Sequence, residues 1–427
     1  MKTVSRRSAC AGVLALTAFG IGSVLQTEAA NCAESHAGGQ WVATWGAAPL
    51  PPSVAQGPFP ATPGFATQTI RQTLRLSAGG SRIRIRFTNE YGTKPLTIGA
   101  AVVALSDEAG NIQAGTEHRV LFSGQPGVKV PAASPFVSDP IELPVKALGA
   151  ITISAYFPDE TGPCTCHQTG MQKMFVSDTG DFTDKSFTPQ QTLQYRAFIS
   201  GVEADAGRNA RTVVVLGDSI SDGIGSTIDA NHRWPDLLAN RLNAGSSGPW
   251  GVVNMGISGN QVLNDGAGQS ALARFDRDVL SVPGVRAVVI FEGVNDLGIS
   301  YGARPPGGGR PGFAAPAEKV TRESMIAGYR QLIARAHEKG LKVIGATITP
   351  YGGAGYYSSE GDAVREAINQ WIRTGGEVDG VMDFDAAIRD PAKPTQIKDG
   401  FHAGDHLHGS DAGYVAMAAG IDLKLFR

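Results

Sequence analysis

The hydrophobic and polar positions divide the chain into two halves with different periods. Between residues 40 and 202 the apolar residues come in short runs with a two-residue alternation. Positions 69–76 and 81–89 flank Gly79-Gly80, and in the second run Ile83, Ile85 and Phe87 alternate with Arg82, Arg84 and Arg86. That is the pattern of a half-buried antiparallel strand. Runs at 96–105, 118–122 and 150–157 continue it, separated by Gly, Pro and Asp, with no long helical stretch between them. An all-β sandwich, jelly-roll-like in closure, is the architecture predicted for 40–202. Three arginines on one strand face read as a solvated face rather than a polyanion site. Trp41 and Trp45 read as core or interdomain packing rather than a sugar platform.

Residues 203–211 form a short polar link, after which the period changes. Val213-Val214-Val215-Leu216 is a run of four apolar residues, three of them β-branched, as expected of a strand buried on both faces. Amphipathic helices are predicted at 234–242, 272–280, 323–339, 362–373 and 410–425, and strands at 251–255, 285–291, 341–348 and 378–384. In the 323–339 helix Met325, Ile326, Tyr329, Leu332, Ile333 and Ala336 share one face. Strand and helix in alternation make residues 212–427 an α/β domain, a three-layer doubly wound parallel sheet of flavodoxin-like type, whose ligands bind at the carboxyl ends of the strands.

The candidate chemistry sits at those ends. Gly217-Asp218-Ser219 interrupts the 213–216 strand where it hands over to a helix, which lifts the serine hydroxyl off the sheet beside free backbone N–H groups. Alone, those three residues would be an N-cap or a plain turn. They do not stand alone. Gly217-Asp218-Ser219-Ile220 resembles the first sequence block of the GDSL/SGNH hydrolases, a family of serine esterases and lipases. Asn254-Met255-Gly256-Ile257-Ser258-Gly259, Glu292-Gly293-Val294-Asn295-Asp296 and Asp405-His406-Leu407-His408 follow in the family's order.

The resemblance covers residues from about 211 to 427. It implies Ser219 as nucleophile, His408 as base, Asp405 as the group that orients it, and Ser219, Gly259 and Asn295 as oxyanion donors. Asp218, Asn254 and Asp296 would support or cap these groups. A second pair, Asp399 and His402, has the same spacing. The closing helix after Ser410 anchors the chain next to His408, which favours His408 as the base. His402, Asp405, His406 and His408 together suggest a metal hydrolase as rival, but that would leave Ser219, Gly259 and Asn295 without a shared role. No cofactor and no metal are expected. The implied substrates are lipid, aryl or short-chain esters, or acetyl groups on polysaccharide. The alternative is a carbohydrate-binding or cell-surface protein whose β domain carries the function.

Composition adds the compartment. Hydrophobic residues at 42% and charged residues at 18% are ordinary for a globular protein, and a formal charge of −2 argues against a nucleic-acid surface. Residues 1–29 read as a signal peptide, with Lys2, Arg6 and Arg7 before an apolar run broken by Gly12, Gly20 and Gly22. Cleavage after Ala29 would remove those three bases and Glu28, leave no stable membrane insertion, and shift the charge from −2 to −4. A secreted or periplasmic protein is expected, exported by the Sec or twin-arginine route. Cys32, Cys164 and Cys166 would remain and allow one internal bridge, whose pairing the spacing leaves open. Cys164-Thr165-Cys166-His167 lacks a partner motif and is a poor zinc site. The glycine- and proline-rich stretch 302–312 is either a substrate-facing flap or a surface insertion.

Overall fold

The computed structural model describes residues 39–55, 61–244, 248–302 and 318–427; the 1–29 segment, Cys32 and positions 303–312 of the glycine-rich stretch lie outside them. The N-terminal half contains strands β1 (Trp41–Gly46), β2 (Gln68–Arg75), β3 (Ile83–Asn89), β4 (Ala100–Ser106), β5 (Ser134–Val137), β6 (Ala150–Phe157), β7 (Met174–Thr179) and β8 (Ile199–Asp205). They form two antiparallel sheets, ordered β1-β8-β3-β5 and β7-β2-β6-β4, the second edged by the short strands Gln191–Leu193 and His118–Arg119. Ile83, Ile85 and Phe87 of one sheet and Ile70, Leu74, Ile151 and Ile153 of the other lie in one core, so the alternation read from the sequence marks the inner faces.

The arginine face is not simply solvated. Antiparallel register puts Arg84 opposite Glu203 on β8. Arg84 pairs with Glu203, Arg82 lies 2.7 Å from Asp205, and the Arg84 guanidinium stands 4.5 Å over the Trp41 ring. The same register corrects the 203–211 link: Glu203–Asp205 are strand, Arg211 opens the next strand, and only 206–210 connect them. Acidic residues that read as linker are ladder partners of arginines more than a hundred positions away. The predicted 96–105 strand is also divided, since Leu96–Ile98 pairs with Val128–Val130 while β4 joins the larger sheet.

In the second half, β9 (Arg211–Gly217), β10 (Trp250–Gly256), β11 (Val285–Phe291), β12 (Lys342–Ala346) and β13 (Gly380–Met382) form one sheet, every pair parallel, in the order β10-β9-β11-β12-β13. The helices include α1 (Ser219–Asp222), α2 (Trp234–Asn243), α3 (Ala271–Phe275), α4 (Val294–Tyr301), α5 (Arg322–Glu338), α6 (Ser359–Thr374) and α7 (Asp411–Ala419), with the short helix Phe384–Ile388 between the last two. The predicted 272–280 helix is α3 followed by a π-helical turn, Asp276–Leu280. Strand order reverses at β9: the chain steps one way to β10, then back past β9 to β11 and onward. Right-handed crossovers therefore put α2 on one face of the sheet and α3, α5 and α6 on the other. Accordingly α2 packs on α7, while α5 packs on α3 and α6. The reversal leaves a crevice beside the carboxyl end of β9.

The two halves share core and belong to one compact unit, Gly38–Arg427. β10 is an edge of the parallel sheet, and β1 lies against it. Ala43 N–H donates to the Pro283 carbonyl at 2.9 Å, Thr212 Oγ1 donates to the Ala43 carbonyl at 3.0 Å, and the Ser77 hydroxyl accepts from Val252 N–H at 2.8 Å. Ala43, Ala48 and Leu50 sit in the hydrophobic core of the α/β half. Cys164 and Cys166 form a disulfide. Among the described residues no helix is long and apolar enough to cross a membrane.

Candidate active site

The corner after β9 is dictated by what surrounds it. Val213, Val214, Val215 and Leu216 are fully buried, and at Gly217 the chain turns at once into α1. A Cβ at Gly217 would collide with the Ser221 side chain and stand 3.0 Å from the Phe291 carbonyl, so only glycine permits this turn. Asp218 caps the turn by accepting from Ile220 N–H at 2.9 Å. Gly256, at the end of β10, packs as closely: a Cβ there would lie 2.6 Å from the Asp222 nitrogen.

Ser219 Oγ is 2.8 Å from His408 Nε2, and His408 Nδ1 is 2.5 Å from Asp405 Oδ2. The other carboxylate oxygen of Asp405 accepts from the backbone N–H groups of Leu407 and His408, each at 3.0 Å. Burial by itself would raise the Asp405 carboxyl. The bonds from the His408 side chain and amide, with that ring's charge and the Leu407 amide, hold it far below the usual carboxylate range. The Asp405–His408 segment is pinned by its neighbours: Ala403 N–H donates to the His408 carbonyl at 2.9 Å, and Ser410 caps α7 through Gly413 N–H at 3.2 Å. From α7, Tyr414 donates its hydroxyl to the Ile224 carbonyl at 2.6 Å, tying that helix to the chain just past Ser219.

His402 has a different place. Its Nδ1 accepts from Gly404 and His406 N–H at 3.0 and 3.3 Å, and its ring lies 4.2 Å from that of His406. Asp399 is 4.0 Å away. His402 shapes the loop that presents His408. Among the described residues no group of three or more His, Cys, Asp or Glu is arranged to hold a metal ion.

Parallel register aligns Gly217 with Gly256 and with Phe291, so Ser219, Gly259 and Asn295 follow the carboxyl ends of three adjacent strands. Gly259 lies in a turn with φ 83°, a conformation that favours glycine. Asn295 is buried at the start of α4, and its Nδ2 donates to the Asn260 carbonyl at 3.0 Å. That bond uses one of the two amide N–H groups and fastens Asn295 to the residue after Gly259.

Beneath these groups lies a buried ionic layer. Arg274, fully buried, donates to Asn260 Oδ1, to the carbonyls of Met255 and Gly217, and to Asp278 and Glu292. Burial pushes Asp218 up to about 7, helped by the charges of Asp296 and Asp222 and opposed by Ile220 N–H and Arg274. Burial also pushes Asp296 up to about 7, against the N–H groups of Val262 and Leu263 that it caps. Asn254 supports α1 by donating to the Ser221 carbonyl at 2.6 Å. Sequence reasoning missed Arg274, Asp222, His167 and Thr169. For Asp222 the only signal was its place three residues after Ser219; for His167, its place beside Cys166.

A serine, histidine and aspartate joined by hydrogen bonds at the carboxyl edge of a parallel sheet are the parts that nucleophilic acyl transfer uses. Residues 215–416 match the GDSL-like Lipase/Acylhydrolase family model, so the chain carries a domain of that family and is a hydrolase acting on ester bonds. Solved structures similar to it include a GDSL-like lipase from Bacteroides thetaiotaomicron, 17% identical over 51% of this chain and 88% of that one, TM-score 0.35. Another is an acetylxylan esterase from Geobacillus stearothermophilus, 22% identical over 50% of this chain and 93% of that one, TM-score 0.37. No curated protein matches the chain.

Proposed function

We propose that the protein is an exported serine carboxylesterase that works through an acyl-enzyme on Ser219. The observation that carries this reading is the hydrogen-bond chain from Ser219 Oγ through His408 to Asp405, at 2.8 and 2.5 Å. Ser219 Oγ attacks the ester carbonyl as its proton passes to His408 Nε2, and Asp405 stabilises the imidazolium. The N–H groups of Ser219 and Gly259 and the Asn295 amide receive the negative charge on the tetrahedral oxygen. His408 returns its proton to the departing alcohol, and water then repeats the sequence on the acyl-enzyme. Side chains and backbone supply all of this chemistry. The substrate is a small-molecule or polysaccharide ester. A series of p-nitrophenyl esters of rising chain length, beside acetylated xylan and a lysophospholipid, sorts lipid, short-chain and polysaccharide esters. Ser219→Ala is expected to abolish turnover in every case, and a phosphonofluoridate to label Ser219 alone. A folded Ser219→Ala protein that kept ester turnover would overturn the assignment.

A further inference from the structure

The helix that carries Ser219 is a single turn, and a single turn fixes several dihedrals for very few hydrogen bonds. What keeps it in place must come from outside it. At its front end Asp218 caps it. At its back end two of the holding groups, His167 and Thr169, come from the β-sandwich and two from Ser258 of the α/β half. Asp222, the last residue of α1, is 2% exposed and receives four donors. Its Oδ1 lies 2.8 Å from His167 Nε2. Its Oδ2 accepts from Ser258 N–H at 3.2 Å, from the Ser258 hydroxyl at 2.7 Å and from the Thr169 hydroxyl.

His167 is itself fixed on both sides. It belongs to the two-residue strand Cys166–His167, paired with Arg196–Ala197 and joined by the disulfide to Cys164. Its Nδ1 lies 3.0 Å from the Ala48 carbonyl, and a carbonyl only accepts, so Nδ1 carries a proton. Nε2 faces the Asp222 carboxyl, so the ring, 5% exposed, is held at both nitrogens.

The Asp222 carboxylate therefore joins two parts of the site. Its own N–H donates to the Asp218 carbonyl at 2.9 Å, which makes it part of the nucleophile turn, and its side chain ties down Ser258, the residue before Gly259. We propose that His167 and Thr169 are positioning residues for ester hydrolysis: by fixing Asp222 and Ser258 they set the Gly259 amide against the oxygen that Ser219 makes negative. This rests on reading Ser219 as nucleophile and Gly259 as an oxyanion donor. The sandwich then supplies part of the active-site framework, beyond covering the edge of the sheet. A group displaced by about 1 Å from its reacting partner costs on the order of 10²-fold in rate.

The test uses the full chain. Thr169→Val preserves shape and removes only the hydroxyl, Thr169→Ser returns it, and His167→Ala removes the deeper contact. Expected are a kcat lower by about tenfold for Thr169→Val and about 10²-fold for His167→Ala, with KM unchanged, because an interaction that matters only in the transition state lowers kcat. Thr169→Ser should recover most of the lost rate, and labelling of Ser219 by the phosphonofluoridate should slow in step with kcat. If His167→Ala does not fold, the Thr169 pair decides. A folded Thr169→Val protein with wild-type kcat, a loss confined to KM, or a Thr169→Ser protein as slow as Thr169→Val overturns the proposal. Ser219→Ala measured in parallel separates the two readings: if it stays active the nucleophile assignment fails, and if it is inactive while Thr169→Val is unaffected only the positioning role fails.

Discussion

Replacing Asp405 by asparagine changes one atom, and the structure dictates which way the new amide must face. Asp405 Oδ1 accepts two backbone N–H groups, from Leu407 and His408, each at 3.0 Å. An asparagine must offer its carbonyl oxygen to those donors, because an NH₂ group there would leave two N–H groups facing N–H. Its NH₂ is then aimed at His408 Nδ1, where the carboxylate oxygen now lies 2.5 Å away. Facing a donor, Nδ1 becomes the acceptor and the ring proton moves to Nε2, which lies 2.8 Å from Ser219 Oγ. Nε2 then donates to the serine instead of accepting from it, and the general base is blocked. General-base catalysis contributes about 10²–10⁴-fold, so kcat for Asp405→Asn should fall by that factor. At 1.36 kcal/mol per tenfold this is about 2.7–5.4 kcal/mol of transition-state stabilisation. KM should change little. Because the fault is a locked tautomer, Asp405→Ala, which leaves the ring free to choose, should be no worse than Asp405→Asn, although it removes the charge as well. The assay is kcat on p-nitrophenyl acetate at neutral pH, with circular dichroism as the check on folding. A folded Asp405→Asn protein with more than about a tenth of wild-type kcat would refute the tautomer argument.

His408→Ala should be nearly as damaging as Ser219→Ala in kcat/KM, while His402→Ala, which removes contacts to two loop amides and the His406 ring, should keep most of the activity; the reverse order would sink the assignment of the base. Asn295→Ala should lower kcat by about 10²–10³-fold with little change in KM, the usual effect of removing one oxyanion donor, and a change confined to KM would make Asn295 a substrate-binding residue. Activity should survive EDTA, and a loss restored by zinc would move His402–His408 from proton transfer to metal binding. Asp296, pushed up to about 7 by burial, binds its proton more tightly folded than unfolded. Its favourable contribution is present in full below the ordinary carboxylate range and is lost as pH rises through about 7. Wild-type Tm should therefore fall between pH 5 and pH 8 by more than that of Asp296→Asn, and parallel slopes would exclude the effect.

Legibility in the sequence followed the range of the interactions. The β9 corner was readable because everything that makes it is local: four apolar residues, a glycine with no room for a Cβ, an N-capping aspartate. The parallel sheet was readable for the same reason, each strand and helix carrying its own period. Residues 199–205 were not, because Gly201, Glu203 and Asp205 belong in a buried strand only once Arg84 and Arg82 lie across from the two acids. Arg274 carries no signal of its own in the sequence, because Gly217, Asn260 and Glu292, which surround it together with Asp278, meet it only in the folded chain. His167 is the extreme case. Beside a cysteine, on a two-residue strand, it offers no period and no cap, and its partner Asp222 lies 55 positions away in the other half of the chain. A buried carboxylate is costly to leave unpaired, so a buried Asp222 requires a donor from somewhere, but nothing near it in sequence says where. Register and packing supply that donor, and because it comes from the sandwich, the half of the chain without family motifs becomes necessary for the geometry of the half that has them.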